Sequence, residues 1–223
     1  MNQKIVRRVD TTLENLHEYV IGGSGSGKSF YVKSQIQKAG RLLVFDPDDE
    51  YAEVKGIVTA YSSKELLILI KKSGVNGRLK VRYVANGKQY FDFVCAVAFM
   101  WGNCCFVAEE IADVTSTAKA SENWGKVVRR GRKRGIKIFA VTQRPAEADK
   151  TIFTQVAKIR CGRLDGKGDK VRVAENMQCD VNLISNLLPL DFLEFNRKDG
   201  SLYAGHKQRR KNIRGKYGDL VVI

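Results

Sequence analysis

Residues 19–29 read Tyr-Val-Ile-Gly-Gly-Ser-Gly-Ser-Gly-Lys-Ser, and this stretch decides the fold. Tyr19-Val20-Ile21 is a short apolar run of strand character. Residues 22–29 then match G-x-x-x-x-G-K-S. A loop this rich in glycine can turn successive backbone N–H groups inward as a nest for phosphate oxygens. The helix that follows adds its positive N-terminal end. Gly22, Gly23, Ser24, Gly25, Ser26 and Gly27 would form the cradle. Lys28 would reach the β- and γ-phosphates of a nucleoside triphosphate, and the Ser29 hydroxyl would ligate Mg²⁺. A plain flexible Gly/Ser turn is the competing reading. The strand before it and the helical pattern after it, over residues 27–39 with Gly40 as cap, argue against that.

Outward from the loop, strands alternate with helices. Leu42-Leu43-Val44-Phe45 is continuously apolar, as a parallel strand covered on both faces should be. It ends in the acidic turn Asp46-Pro47-Asp48-Asp49-Glu50-Tyr51. Ser62 and Glu65 form a capping box ahead of a helix ending near Gly74. Residues 78–85 place Leu79, Val81 and Tyr83 on one strand face. Residues 89–101 read as an apolar helix, and 104–108 as a buried strand ending in Glu109-Glu110. Residues 118–134 read as a basic helix. Residues 136–142 form a strand ending in Gln143-Arg144-Pro145, and 156–164 a further strand. Residues 169–187 read as helical and 201–204 as an edge strand. A basic tail follows from residue 205, with Lys207, Arg209, Arg210, Lys211, Arg214 and Lys216. Residues 1–18 are weakly patterned, an arm or an edge strand. The alternation predicts an α/β fold with a mostly parallel central sheet and helices on both faces. It reads as one domain over residues 1–223.

The totals narrow the partners. A chain of 223 residues with 43% apolar and 28% charged residues is ordinary for a globular protein. A net charge of +15 is not ordinary. It favours a polyanion, either nucleic acid or an anionic membrane surface. The longest apolar stretch, residues 93–101, falls well short of the roughly 20 residues a spanning helix needs, and the N-terminus does not read as a signal peptide. The five cysteines, at 95, 104, 105, 161 and 179, form no C-x-x-C, and the two histidines are His17 and His206. That spacing argues against a zinc site or disulfide framework, and buried reduced thiols are expected.

Ligands of open parallel sheets sit beyond the carboxyl ends of the strands, so the strand ends carry the chemistry. Glu109 would hold Mg²⁺ through its water shell, and Glu110 would orient or deprotonate an attacking water. A solvated pair at a helix start is the bland reading. Gln143 is a neutral amide able to touch both a γ-phosphate and a lytic water. Asp46 and Asp48–Glu50 either approach the site or simply form a turn. The run Lys126-Val127-Val128-Arg129-Arg130-Gly131-Arg132-Lys133-Arg134 admits three readings. It is a solvated face, a source of an arginine that crosses to a neighbour's γ-phosphate, or a contact for nucleic-acid phosphates.

Residues 22–29, Val44-Phe45-Asp46-Pro47 with Glu50-Tyr51, residues 106–110, Gly131-Arg132 and Val141-Thr142-Gln143-Arg144-Pro145 occur in that order. The set resembles the FtsK–HerA superfamily of P-loop ATPases, RecA-like motors with an added strand and a catalytic glutamate. The resemblance covers residues 16–165. With little beyond the motor core, the chain looks most like the genome-packaging ATPases of tectivirus-type, internal-membrane icosahedral phages. The resemblance implies that Lys28 and Ser29 are Walker A and that Glu109 and Glu110 are Walker B, where many relatives carry Asp-Glu. It makes Gln143 the sensor and Arg132 the trans arginine finger, with Arg129 and Arg134 as alternates. It also implies ATP and Mg²⁺ as cofactors and a homo-hexameric ring around double-stranded DNA, for which Lys119 and Lys126 are the candidate contacts. Portal-vertex or membrane-associated virion proteins would dock the motor, in the host cytoplasm or at the packaging vertex of the virion.

The reading that follows is an ATP-hydrolysing translocase packaging double-stranded DNA into a preformed capsid. A filamentous-phage morphogenesis or conjugation-type coupling ATPase shares the core but usually carries a membrane helix. A small-molecule P-loop kinase would need an acceptor pocket and lid, for which the sequence has no signature. A non-catalytic basic nucleic-acid module does not account for Lys28 together with Glu110.

Overall fold

The apolar runs around the phosphate loop pair as parallel strands of one large sheet. The computed structural model describes residues 9–74, 76–118, 120–207 and 209–213. In chain order its first half comprises β1 (Glu18–Ile21), α1 (Lys28–Ile36), β2 (Arg41–Phe45), β3 (Ile57–Ala60), α2 (Ser63–Ser73), β4 (Leu79–Tyr83), α3 (Lys88–Trp101), β5 (Cys105–Ala108) and α4 (Ile111–Val114). Then come α5 (Glu122–Arg130), a 3₁₀ turn (Gly131–Arg134), β6 (Lys137–Thr142), α6 (Thr151–Gln155), β7 (Lys158–Gly162), α7 (Lys167–Met177), α8 (Val181–Ser185), β8 (Asp191–Asn196), β9 (Leu202–His206) and β10 (Arg209–Asn212). The sheet order is β10-β9-β8-β7-β1-β6-β5-β2-β4-β3. All pairings from β7 through β1 to β3 are parallel, and those through β8, β9 and β10 are antiparallel.

Alternation along the strands builds two cores. Tyr19, Ile21, Leu43 and Phe45 face a large apolar cluster with Phe91, Trp101, Trp124 and Phe153. Val20, Leu42, Val44 and Val107 face a smaller one closed by Val32 and Ile36 of α1 and by Tyr51 and Val54. Continuous burial of β1 and β2 follows from being covered on both sides. The parallel register lines up the strand ends that matter. Ile21 lies opposite Thr142, and Phe45 opposite Ala108. β6 is inserted between β1 and β5, so the Gln143 strand separates the phosphate loop from the glutamate pair.

Several expectations change. The basic helix is shorter than residues 118–134. Only 122–130 are α-helical, and 131–134 tighten into a 3₁₀ turn before the Gly135 cap. The 201–204 strand is β9, which is not an edge, because β10 pairs outside it. The tail from residue 205 therefore begins as a β-hairpin; residues 214–223 lie outside the described residues. β3 and β8 had no counterpart in the sequence reading. Residues 169–187 divide into α7 and α8, with Gln178 in a left-handed conformation between them. Residues 9–17 form no strand, and residues 1–8 lie outside the described residues. The capping box is half realised. Ser62 accepts the Glu65 N–H at 3.2 Å, but the Glu65 carboxylate takes the Tyr61 N–H one residue upstream. All five cysteines are free; Cys95, Cys104 and Cys161 are buried, and Cys105 and Cys179 are half-buried. No helix among the described residues is long and apolar enough to cross a membrane.

Candidate active site

The phosphate loop is folded as its glycines require. Gly25 and Gly27 have φ of +70° and +87°, where a side chain is strained. Gly22 is required by close approach, since a Cβ there would meet Ser26 Oγ at 2.5 Å. Backbone bonds tie the loop to its neighbours. The Gly22 N–H donates to Thr142 O on β6 at 3.2 Å, and the Gly23 N–H donates to Arg163 O beyond β7 at 2.7 Å. Lys28 is half-buried, and its Nζ donates to Gly23 O at 3.1 Å. Burial lowers its pKa, opposed by the carboxylates of Glu110, Glu109 and Glu50.

Those carboxylates converge beside it. A cleft of about 100 Å³ is lined by Ser24, Gly25, Lys28, Ser29, Asp46, Asp48, Glu50, Glu109, Glu110 and Gln143. The structure thus brings the loop, the glutamate pair and Gln143 together at one edge of the sheet. Glu110 Oε1 accepts from Gln143 Nε2 at 2.9 Å, and its Oε2 accepts from the Gln143 N–H at 3.2 Å. Glu110 has φ +41° and ψ +53°, a left-handed conformation unusual for a non-glycine residue. Such backbone outliers gather where geometry is held for function.

Glu109 is buried, at 5% exposure, and accepts a hydrogen bond from the Tyr51 hydroxyl. Burial pushes its pKa up to about 7. The Tyr51 bond opposes that shift, Glu110 and Glu50 reinforce it, and Lys28 opposes it. The acidic turn after β2 is part of the site. Ser29 Oγ donates to Glu50 Oε2 at 2.9 Å. The turn is held by Asp46, which accepts the N–H groups of Glu50 and Tyr51 at 2.8 and 3.1 Å. Arg82 pairs with Asp46 at 3.0 Å and also with Asp49. Of the turn residues left open in the sequence, Asp46, Asp48 and Glu50 line the cleft, while Asp49 pairs with Arg82. The acidic run at a strand end was the available signal, and its anchoring by Arg82 from β4 was not visible.

The donor set fits Mg²⁺. Its side-chain oxygens are the Ser24 and Ser29 hydroxyls, the Gln143 amide and five carboxylates, hard ligands of the kind such a cation takes, gathered around Lys28. Among the described residues no three His, Cys, Asp or Glu side chains converge to hold a metal unaided. Water and phosphate oxygens would complete the shell, as Mg²⁺ usually requires.

The arginine run lies apart. The 3₁₀ turn precedes β6, so Arg132 sits at the opposite edge of the sheet, a strand length of about 20 Å away. It donates to Leu13 O, and to Thr11 O at 3.3 Å. Arg134 binds Phe99 O and Met100 O at 2.6 and 3.1 Å, holding the C-terminal end of α3. Arg129 is exposed and folds back over Gly125 along α5. It makes no hydrogen bond or ion pair among the described residues. Lys126 is half-buried, its Nζ 5.2 Å from the centre of the Phe99 ring, and Lys119 lies outside the described residues.

Taken together, the phosphate loop on β1, the inserted β6 with Gln143 and the glutamate pair on β5 define a P-loop NTPase fold. The chain belongs to the same family as Protein P9 of Pseudoalteromonas phage PM2, with 32% identity over 206 residues, 89% of this chain and 93% of that protein. No protein-family model matches. The fold is that of the genome packaging NTPase B204 of Sulfolobus turreted icosahedral virus 2 in complex with AMPPCP. That likeness has a TM-score of 0.70 at 15% identity over 86% of this chain and 97% of that one. The cytoplasmic domain of the Thermomonospora curvata Type VII secretion ATPase EccC is similar at TM-score 0.56 and 11% identity, over 88% of this chain and 24% of that one.

Proposed function

We propose that the protein hydrolyses ATP to drive double-stranded DNA into a preformed viral capsid. The observation that carries the reading is the bond pair between Gln143 and Glu110 beside Lys28. A carboxylate and a neutral amide bonded together beside Lys28 support reading Glu110 as the base and Gln143 as the residue that senses a γ-phosphate. The loop N–H groups and Lys28 would hold the phosphates. Ser29, Glu109 and Glu50 would hold Mg²⁺, which when bound neutralises phosphate charge as a Lewis acid. Glu110 would accept the proton of the attacking water. Its Oε1 is engaged by the Gln143 side chain, so that oxygen is released as acceptor when the Gln143 amide turns toward the γ-phosphate, while the Gln143 backbone N–H keeps hold of Oε2.

The +15 charge supports a polyanionic partner. Kinship with a phage protein and a fold shared with a genome packaging NTPase support a viral genome as that partner. Among the described residues no arginine lines the cleft. An arginine finger would therefore come from a neighbouring subunit of a ring, here taken as a homo-hexamer docked at a portal or membrane-associated vertex of the virion. Arg132 is the first candidate. Arg129 is the freer one, and Arg134 is committed to α3.

The experiment is the ATPase rate with and without linear duplex DNA, with particle mass measured in the same samples. Stimulation by duplex together with a ring mass is expected. DNA-independent turnover by a monomer would contradict the proposal. Mixing Arg129→Ala or Arg132→Ala with Lys28→Ala subunits should restore part of the activity for whichever arginine acts in trans.

A further inference from the structure

The outward face of α2 is not that of an ordinary surface helix. On its inner side Leu66 is fully buried in the large core, and Leu69 and Ile70 pack against the same cluster. Residues 64, 67, 68, 71 and 72 follow the i, i+3, i+4, i+7, i+8 spacing that sets side chains in one stripe. That stripe is Lys64, Leu67, Ile68, Lys71 and Lys72, and every one of them is exposed. Leu67 is 44% and Ile68 54% exposed, and Tyr61, one residue before the Ser62 cap, is exposed as well. Two large aliphatic side chains stand in the middle of a water-facing stripe, with lysines at both ends.

Helix stability does not call for this arrangement. Lys71 and Lys72 suit the negative C-terminal end of the helix, but polar residues would serve as well at 67 and 68. None of the three ammonium groups has an ion pair or hydrogen bond among the described residues. Glu65, the one acidic residue of the helix, accepts the Tyr61 N–H at 2.8 Å. The stripe therefore carries positive charge with no counter-charge around an apolar centre. α2 packs on β3 and β4, and β3 ends the sheet five strand spacings, about 24 Å, from β1. No residue of α2 lines the acidic cleft.

The chemistry of the stripe selects its partner. A second copy of the chain would bring the same lysines on a molecule of net charge +15, and like charges would meet. Nucleic-acid phosphates would engage the lysines and leave Leu67 and Ile68 in water. Protein interfaces are depleted in lysine. An anionic lipid surface uses both halves of the stripe. Aliphatic side chains enter the boundary between headgroups and acyl chains, and lysines lay their stems on the apolar surface with their ammonium groups among the phosphates. We infer that the outer face of α2 docks on an anionic lipid bilayer, with Leu67 and Ile68 inserted and Lys64, Lys71 and Lys72 on the headgroups. The inference does not depend on the nucleotide reading of the phosphate loop.

The test is flotation of the full chain with vesicles of phosphatidylcholine, alone or mixed with phosphatidylglycerol, with particle mass measured without lipid. Wild type should bind the mixed vesicles and bind the neutral ones about a hundredfold more weakly. A chain of such charge is drawn to anionic vesicles through any basic patch, so the deciding variant keeps the charge. Leu67→Ser with Ile68→Ser should lower binding to the mixed vesicles about tenfold. Ile68→Trp should give emission that moves to shorter wavelength on those vesicles, because Trp101 and Trp124 are buried and the added indole reports the stripe. Unchanged vesicle binding in the double serine variant would overturn the inference, leaving general charge attraction. A fall in particle mass in that variant would also overturn it, by assigning the stripe to a contact between copies. Replacing Lys64, Lys71 and Lys72 together by Gln should weaken vesicle binding about a hundredfold. If that variant lost duplex-DNA binding and kept vesicle binding, the stripe would belong to nucleic acid and the inference would fall.

Discussion

The two edges of the parallel sheet use charge in opposite ways. At the carboxyl edge, Asp46, Asp48, Glu50, Glu109 and Glu110 crowd around Lys28, the one cation lining the cleft among the described residues, and burial pushes Glu109 up to about 7. That imbalance suits a ligand bringing both a cation and phosphates. At the amino edge, arginines meet backbone carbonyls. Arg41 donates to Gly77 O at 2.7 Å and Asn103 O at 3.0 Å, over the Trp101 ring. Arg134 and Arg132 likewise bind carbonyls of α3 and of the chain before β1. The lesson is that a basic residue near a motif is not thereby part of it. One edge is set up for chemistry, and the other is set up to satisfy carbonyls that strands and helices leave unpaired.

That contrast can be broken by substitution. Apart from loss of the Glu110 base itself, the largest effect should come from Gln143→Ala, which leaves the loop intact but removes the amide that positions Glu110. Turnover should fall on the order of 10²-fold while nucleotide affinity holds, read by steady-state kinetics and titration. At the amino edge, Arg41→Ala should cost about 3 kcal/mol of stability by denaturant unfolding, with KM for ATP unchanged. A loss of affinity without loss of stability would erase the distinction between the edges.

A third prediction concerns pH. His17 is buried, with Nδ1 accepting the Ile138 N–H at 3.3 Å and Nε2 unpartnered. Burial, reinforced by Arg132 and Lys137, lowers its pKa to about 4. The unfolded chain takes up this proton near pH 6.5 and the folded chain only near 4, so stability falls as pH drops through that window. The loss should be about 2 kcal/mol between pH 7 and pH 4.5. His17→Asn should flatten that part of the profile, and an unchanged slope would remove His17 from the account. The smallest effect is expected for Glu50→Ala. Its Mg²⁺ half-saturation for nucleotide binding should rise about fivefold, with tripolyphosphate binding in the absence of metal unchanged.

Legibility in the sequence followed locality. β1, β2, β5 and β6 are continuous apolar runs, and the loop and glutamate pair are contiguous motifs, so each could be read without knowing its neighbours. β8 was hidden because Glu194 sits within it. That carboxylate is buried among Arg160 and Lys158 of β7 and Arg210 of β10, which pair with it. β10 was hidden because an edge strand is exposed on all four of its residues and reads as a basic tail. Arg82 looked like the solvent face of a strand, yet it is 4% exposed and anchors the turn that carries Glu50.

The most direct test of the central claim is Glu110→Gln, followed by ATP titration and by single-turnover hydrolysis. The carboxylate beside Lys28 and Gln143 is assigned as the base. The variant should therefore bind ATP with wild-type affinity and hydrolyse it on the order of 10²–10⁴-fold more slowly. Wild-type turnover in Glu110→Gln would contradict the account.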